Sequence, residues 1–242
     1  MKNKTSQDES FERIQQSVFN DFFQHAGLLD NRALRIEFET LLQFMGNLEG
    51  KRVLDLGCGI GRNGLKLAHY AYEVIGYDLS EVAVAKANDF AKQLGVKNFR
   101  AEVNDFSDVE EGSFDLILCA NMLHHSANPL HVLMSIRKAL CPGGQLIVME
   151  NNPLNPFFPL FFLLIGQVKA HWTKQYLMVN RFTLAKLITT AGMSVKKIQR
   201  YGFLPTMLYN LSLSFKNVNE ILNRIPVINE AAAFHLVRAD CP

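Results

Sequence analysis

The chain has 242 residues, 48% of them apolar, enough to bury a sizeable core without disulfides or a structural metal. Its 25 Lys and Arg are nearly balanced by 23 Asp and Glu, and the cations are scattered, so no nucleic-acid partner held by a broad basic surface is expected. Cys58, Cys119, Cys141 and Cys241 form no Cys-x-x-Cys pair and three of them stand in apolar or glycine-rich segments, which speaks against a disulfide framework or a zinc site.

Residues 1–10 are polar and lack the apolar run of a secretory signal, making the cytoplasm the default compartment. Phe11, Ile14, Val18, Phe19, Phe22 and Phe23 keep a helical period, predicting a helix over residues 11–29, and a second pattern covers 32–45. Residues 1–50 thus read as an N-terminal helical cap. Strands and helix-length segments then alternate. Strands are predicted at 52–56, 73–77, 98–103, 114–120 and 145–150. Between them fall a helix at about 61–70, one capped by Ser80 and closed by Gly95, and one from Pro129 to near Leu140, followed by a turn through Cys141, Pro142, Gly143 and Gly144. This order predicts an α/β, doubly wound, Rossmann-like fold with a mostly parallel sheet covered on both faces. The near-continuous apolar strands agree, because central parallel strands are buried on both sides.

After Glu150 the alternation pauses. Residues 153–166 read PLNPFFPLFFLLIG, shorter than the roughly 20 apolar residues a membrane span needs and broken by Pro153, Pro156 and Pro159. Gln167, Lys169, His171 and Lys174 end the stretch, so no transmembrane segment is expected. Thr183 is placed as the cap of a helix to Ala191, followed by Gly192, a strand at 194–198, an irregular stretch at 201–232 with one helix, and a last strand at 234–238. Residues 151–180 and 201–232 are the expected substrate lid of a single domain whose cofactor-binding core is 51–150.

The first strand runs into V-L-D-L-G-C-G-I-G-R-N-G, residues 53–64. Glycines let the backbone turn sharply and approach a ligand at the carboxyl end of a sheet. Gly59, Gly61 and Gly64 also fit the dinucleotide pattern G-x-G-x-x-G, with Asp78 near the spacing of a ribose-binding acid, so an NAD(P)-dependent oxidoreductase is the rival reading. Asp55 weighs against it: a carboxylate just before the turn repels a pyrophosphate and suits a cationic ligand, either by contact or by ordering the loop. Asp105 and Phe106 follow the third strand, where an acid can accept an adenine amino proton beside an aromatic ring. Residues 114–125 read FDLILCANMLHH.

In order, DLGCGIG, IGYDLS, NDF, FDLILCANMLHH and LCPGGQLIV resemble the class I S-adenosylmethionine-dependent methyltransferases over about residues 51–150. That resemblance implies a seven-stranded sheet with its last strand antiparallel, and S-adenosylmethionine as cofactor. It places Asp55, Gly57, Cys58 and Gly59, loop amides included, along the methionine portion. Asp78 is then on the ribose hydroxyls, Leu79 against the adenine, Asp105 on its amino group with Phe106 beside the ring, and the backbone near Cys119 and Ala120 at the methionine amino group. Cys58 is otherwise a small core filler.

Methyl transfer is a displacement that depends on positioning, and it needs a general base only when the acceptor carries a proton of high pKa. His124 and His125, beyond the fourth strand, are the candidate bases; at least one of them is expected to buttress the loop instead. His25 and His171 lie in segments that could fold over the site. No metal-ligand spacing is present, and no metal is expected. The apolar blocks at Phe157, Phe158, Phe161, Phe162, Leu163 and Leu164, and at Phe203, Leu204, Met207 and Leu208, read either as an extra core layer or as the wall of a lipophilic acceptor site, with peripheral membrane contact as a further use. The segments RFTLAKLITTAGMSVKKIQRYGFLP and NRIPVI are similar to bacterial small-molecule and lipid-precursor methyltransferases, including those of quinone biosynthesis. That implies a small or lipid-linked acceptor. A cofactor-binding protein without catalysis is the remaining alternative.

Overall fold

The computed structural model describes residue 27 and residues 30–106, 109–157 and 180–242. The helix expected over 11–29, with His25, and the stretch containing Phe158, Phe161, Phe162, Leu163, Leu164 and His171 fall outside the described residues.

Helix α1 (Arg32–Met45) leads into β1 (Arg52–Leu56), a short helix α2 (Gly64–Leu67), β2 (Glu73–Asp78), α3 (Glu81–Leu94), β3 (Phe99–Val103) and β4 (Phe114–Ala120). A 3-10 turn (Leu123–His125), α4 (Pro129–Ala139) and β5 (Leu140–Asn151) follow. Beyond the undescribed stretch come α5 (Arg181–Thr190), β6 (Ser194–Tyr201), a 3-10 turn (Thr206–Asn210), α6 (Ser214–Leu222), α7 (Pro226–Glu230) and β7 (Phe234–Asp240). The seven strands form one sheet in the order β3-β2-β1-β4-β5-β7-β6. Only β7 runs against its neighbours; the others are mutually parallel, so all their carboxyl ends lie at one edge of the sheet.

Each face is covered by apolar helix stripes. Phe38, Leu41 and Phe44 of α1, Leu65 and Leu67 of α2 and Ala87 and Ala91 of α3 pack on one side with Val53, Leu118, Met149 and Leu236. Leu133 and Ile136 of α4 and Leu184 and Ile188 of α5 pack on the other with Leu54, Ile117, Val148 and Val237. Alternation along each strand assigns neighbouring residues to opposite faces, and the buried strand residues divide accordingly. Capping follows the sequence at α3, where Ser80 Oγ accepts from Ala83 N and Gly95 closes in a left-handed conformation.

Strands β6 and β7 run on to Tyr201 and Asp240, past their expected ends, and four further differences have a local cause. Gly61 has φ of +82°, outside the helical region, so α2 starts only at Gly64. The Pro-Gly-Gly turn is absorbed into β5, which pairs with Phe114 at Leu140 and with Leu116 at Gln145 across a register shift. Asn180, not Thr183, caps α5: its Oδ1 accepts from both Phe182 N and Thr183 N. Residues 201–232 hold two helices and a 3-10 turn where one helix was expected. No described helix is long and apolar enough to cross a membrane.

Candidate active site

The turn after β1 is built around three glycines with positive φ, Gly57, Gly59 and Gly61. A Cβ at Gly57 would come within 2.3 Å of Met122 Cγ, so only glycine fits where the β1 and β4 ends converge. The loop amides turn inward. Gly57 N and Cys58 N both donate to Tyr77 O, Gly59 N to Asp78 Oδ2, Gly61 N to Cys58 O and Gly64 N to Asp55 Oδ2. Asp55 is 1% exposed, and desolvation raises its pKa to about 7 against the pull of the Gly64 amide. It orders the loop from within. Asp78 is more open; burial raises its pKa, opposed by the amides of Ser80, Gly59 and Leu79. Cys58 turns its sulfur toward Gly76, where an added Cβ would come within 2.7 Å of Sγ, and so fills the core.

Asn104 N donates to Asp78 O, drawing the ends of β2 and β3 together. Leu79 and Asp105 are exposed there. Phe106 is not an open wall: its backbone has φ of +64° and its buried ring lies 6.4 Å from Tyr77 in the core. At the end of β4, Cys119 is fully buried and Ala120 partly open. Asn121 adopts φ of +53°, its N donates to Met149 O at 2.7 Å, and its Oδ1 is buried with no partner among the described residues.

His124 and Glu150 meet just beyond. Glu150, fully buried at the end of β5, accepts from Leu123 N at 2.8 Å through Oε1 and lies 2.6 Å from His124 Nδ1 through Oε2. A carboxylate only accepts, so Nδ1 carries the proton and both the tautomer and the ring plane of His124 are fixed. The His125 ring lies 3.9 Å from that of His124 and is partly exposed. On the α1 side, Arg62 of the glycine loop pairs with Glu37 at 3.2 Å, and Tyr201 ends β6 nearby.

A family model described as a methyltransferase domain matches residues 47–202. The chain belongs to the class I S-adenosylmethionine-dependent methyltransferases. Among relatives, the ubiquinone biosynthesis O-methyltransferase of Alkalilimnicola ehrlichii is 31% identical over 137 residues, 55% of this chain; the chain thus spans about half that protein's length, the matched share also being 55%. The enzyme of the same name from Aromatoleum aromaticum is 30% identical over 173 residues, 68% of this chain and 73% of that protein. A methyltransferase from Aquifex aeolicus superimposes with a TM-score of 0.60 at 17% identity, covering 85% of this chain and 90% of that one. Geranyl diphosphate C-methyltransferase from Streptomyces coelicolor, solved with Mg2+, geranyl diphosphate and S-adenosylhomocysteine, gives 0.65 at 16% identity over 96% and 98%. These two likenesses establish the fold.

The methyltransferase residues fit the cofactor and not a dinucleotide. The amides a pyrophosphate would need, at positions 57, 58, 59, 61 and 64, already have acceptors within the protein. Carboxylates stand at the ends of β1, β2 and β5; Asp55 and Glu150 are buried behind the site, and Asp78 is the one open enough to meet a diol. Each Asp78 oxygen accepts one amide, from Gly59 or Ser80, and retains acceptor capacity for hydroxyls. The orphaned Asn121 Oδ1 is an acceptor suited to an ammonium group. Sequence reasoning missed Asn121, Glu150, Glu37 and Tyr201. Glu150 had a legible signal: like Asp55, it is an acid closing an apolar strand.

Proposed function

We propose that this methyltransferase transfers a methyl group to a hydroxyl oxygen of a small, lipophilic, ring-bearing acceptor, with His125 as general base. The carrying observation is the buried Glu150–His124 pair at 2.6 Å, with the His125 ring tilted against that of His124 at 3.9 Å. A hydroxyl must lose its proton as it attacks, which is where a positioned imidazole contributes, typically 10²–10⁴-fold. His124 is too enclosed to meet an acceptor broadly and serves as the buttress; His125 is the more open ring. The names of the ubiquinone O-methyltransferase relatives support an oxygen acceptor of this class.

S-adenosylmethionine, when bound, supplies a methyl on a positively charged sulfur. In this reading Asp78 holds the ribose diol, with Leu79 along the adenine and Asp105 at its amino group. Asn121 Oδ1 and the backbone at Ala120 take the methionine ammonium. Asp55 acts at one remove, holding Gly57 and Gly59 in their turn through Gly64. Helix α1 and residues 203–232 form the acceptor wall, with Phe157 set edge-on to Phe203 at 5.6 Å as part of its apolar lining. The domain thus divides into a helical cap, a cofactor core and lid segments.

Replacing His125 with Ala is expected to lower kcat on a phenolic acceptor by about 10²-fold or more while leaving S-adenosylhomocysteine affinity unchanged. Calorimetry for the cofactor product and initial rates with labelled methyl check the two halves. Unchanged kcat would remove His125 from the chemistry.

A further inference from the structure

Arg62 sets a cation into a turn whose ligand carries a cationic sulfur. It follows Gly61 directly and stands two places before Gly64, whose amide Asp55 holds. Its charge is felt inside the turn: Arg62 draws the Asp55 pKa down against the rise that burial imposes. Left alone, a guanidinium here would oppose a sulfonium and be indifferent to a neutral thioether.

Helix α1 answers that charge. Arg62 Nη2 donates to Glu37 Oε1 at 3.2 Å across 25 residues of sequence. The carboxylate is the enclosed member, its side chain 11% exposed against 36% for Arg62. Burial raises the Glu37 pKa, and Arg62 and then Lys66 pull it back. Lys66 is turned to Asp30, at 3.8 Å, and lies over the Phe38 ring, so the close ion pair of Glu37 is with the turn. Tyr201, at the end of β6, also lies within reach of the Glu37 charge, which helps to keep its phenol neutral. An enclosed carboxylate holds its charge through the cation beside it, and here that cation belongs to the cofactor turn.

The cofactor and its product differ in charge at the sulfur alone. In the transfer the acceptor's electron pair forms the new bond to the methyl carbon, and sulfur keeps the pair of the broken S–C bond, passing from a positive sulfonium to a neutral thioether. Hydrogen bonds to the nucleoside and the amino acid are the same for both compounds and cannot separate them. Fixed charge near the turn can.

We propose that Glu37 and Arg62 form a specificity-determining pair for the cofactor, the α1 carboxylate cancelling the guanidinium of the turn so that the site prefers S-adenosylmethionine to S-adenosylhomocysteine. The pair acts through its field. It concerns the cofactor end of the site and is independent of which atom accepts the methyl group.

Calorimetry in low-salt buffer at about pH 8 gives a Kd for each compound, and the ratio of the two is the readout, since screening would blunt the field of the partly exposed Arg62. Glu37→Gln keeps the shape and removes the charge; it should lower the preference for S-adenosylmethionine by about three-fold or more, with S-adenosylhomocysteine little changed. Arg62→Met should raise that preference. The double variant Glu37→Gln/Arg62→Met carries the same net charge as the natural pair and should return the ratio to within about two-fold of wild type. Opposite signs and their cancellation are what a merely structural contact does not produce. Arg62 is the more exposed partner, so its variant tests the sign even where Glu37→Gln does not fold. A ratio unmoved in either single variant, single variants that shift it in the same direction, or a double variant as far from wild type as Glu37→Gln overturns the assignment. So does an Arg62→Met protein that loses both compounds equally, which would make the guanidinium a ligand of the methionine carboxylate.

Discussion

Two acids flank the glycine turn, and burial separates their roles. Asp55 is almost wholly enclosed and spends one oxygen on Gly64 N; Asp78 is partly open and braces the turn from outside through Gly59 N. The sequence placed both at strand ends but left open whether Asp55 met ligand or loop, because a linear pattern does not show which way an oxygen points. Its enclosure has a consequence for pH. Desolvation lifts its folded pKa to about 7 from an ordinary 3.8, so the folded protein keeps a proton the unfolded chain has lost. The resulting penalty is absent below about pH 4, grows as pH rises toward 7 and levels off above it, at up to on the order of 4 kcal/mol. Asp55→Asn retains an acceptor for Gly64 N without the charge. In ligand-free urea unfolding, the variant should gain stability relative to wild type between pH 5 and pH 8. Any cost of the added amide is common to both pH values, so the slope carries the result. A pH-independent difference would place the Asp55 proton elsewhere.

At the scale of elements, β1, β4 and α3 were readable to the residue, and for physical reasons. Central parallel strands are uniformly apolar, and α3 carries both a Ser cap and a Gly stop. The stretch from 201 to 232 was read as irregular because what fixes it is side-chain hydrogen bonding at long range, which leaves no period. Asn152 Nδ2 donates to Glu230 O and Ala232 O; Asn155 Nδ2 donates to Phe203 O and Ala231 O at 2.9 and 2.7 Å; Asn219 brackets Leu204 through both its N and O. These buried amides pin the segment, expected as part of a substrate lid, to the end of β5. Asn155→Ala strands two carbonyls in the interior, at roughly 1–3 kcal/mol for each group left unpaired. A melting temperature lower by about 4–24 °C is expected for a chain of this size. No change in melting would mean that water replaces the amide fully.

For the whole molecule, the sheet order brings the ends of β2, β1, β4 and β5 side by side at one edge, with the acids and Asn121 on them. Fold and cofactor class were legible because this arrangement is written locally, strand by strand, as short motifs. The proposed acceptor side was not, since α1 and residues 203–232 converge only in three dimensions, as Arg32 on the Tyr209 carbonyl and Ala33 N on Asn210 Oδ1 illustrate. A ligand that bridges four strand ends binds the folded chain alone and must stabilise it by mass action. S-adenosylhomocysteine at 100 times its Kd is therefore expected to add about 2.7 kcal/mol to unfolding, seen as a rise in melting temperature that grows with the logarithm of concentration. NADH at the same concentration should produce no rise, because the turn's amides are already bonded to Tyr77, Cys58, Asp55 and Asp78. A shift with NADH equal to that with S-adenosylhomocysteine would mean that those bonds open to receive phosphate, and the discrimination between the two cofactors would have to lie outside the turn.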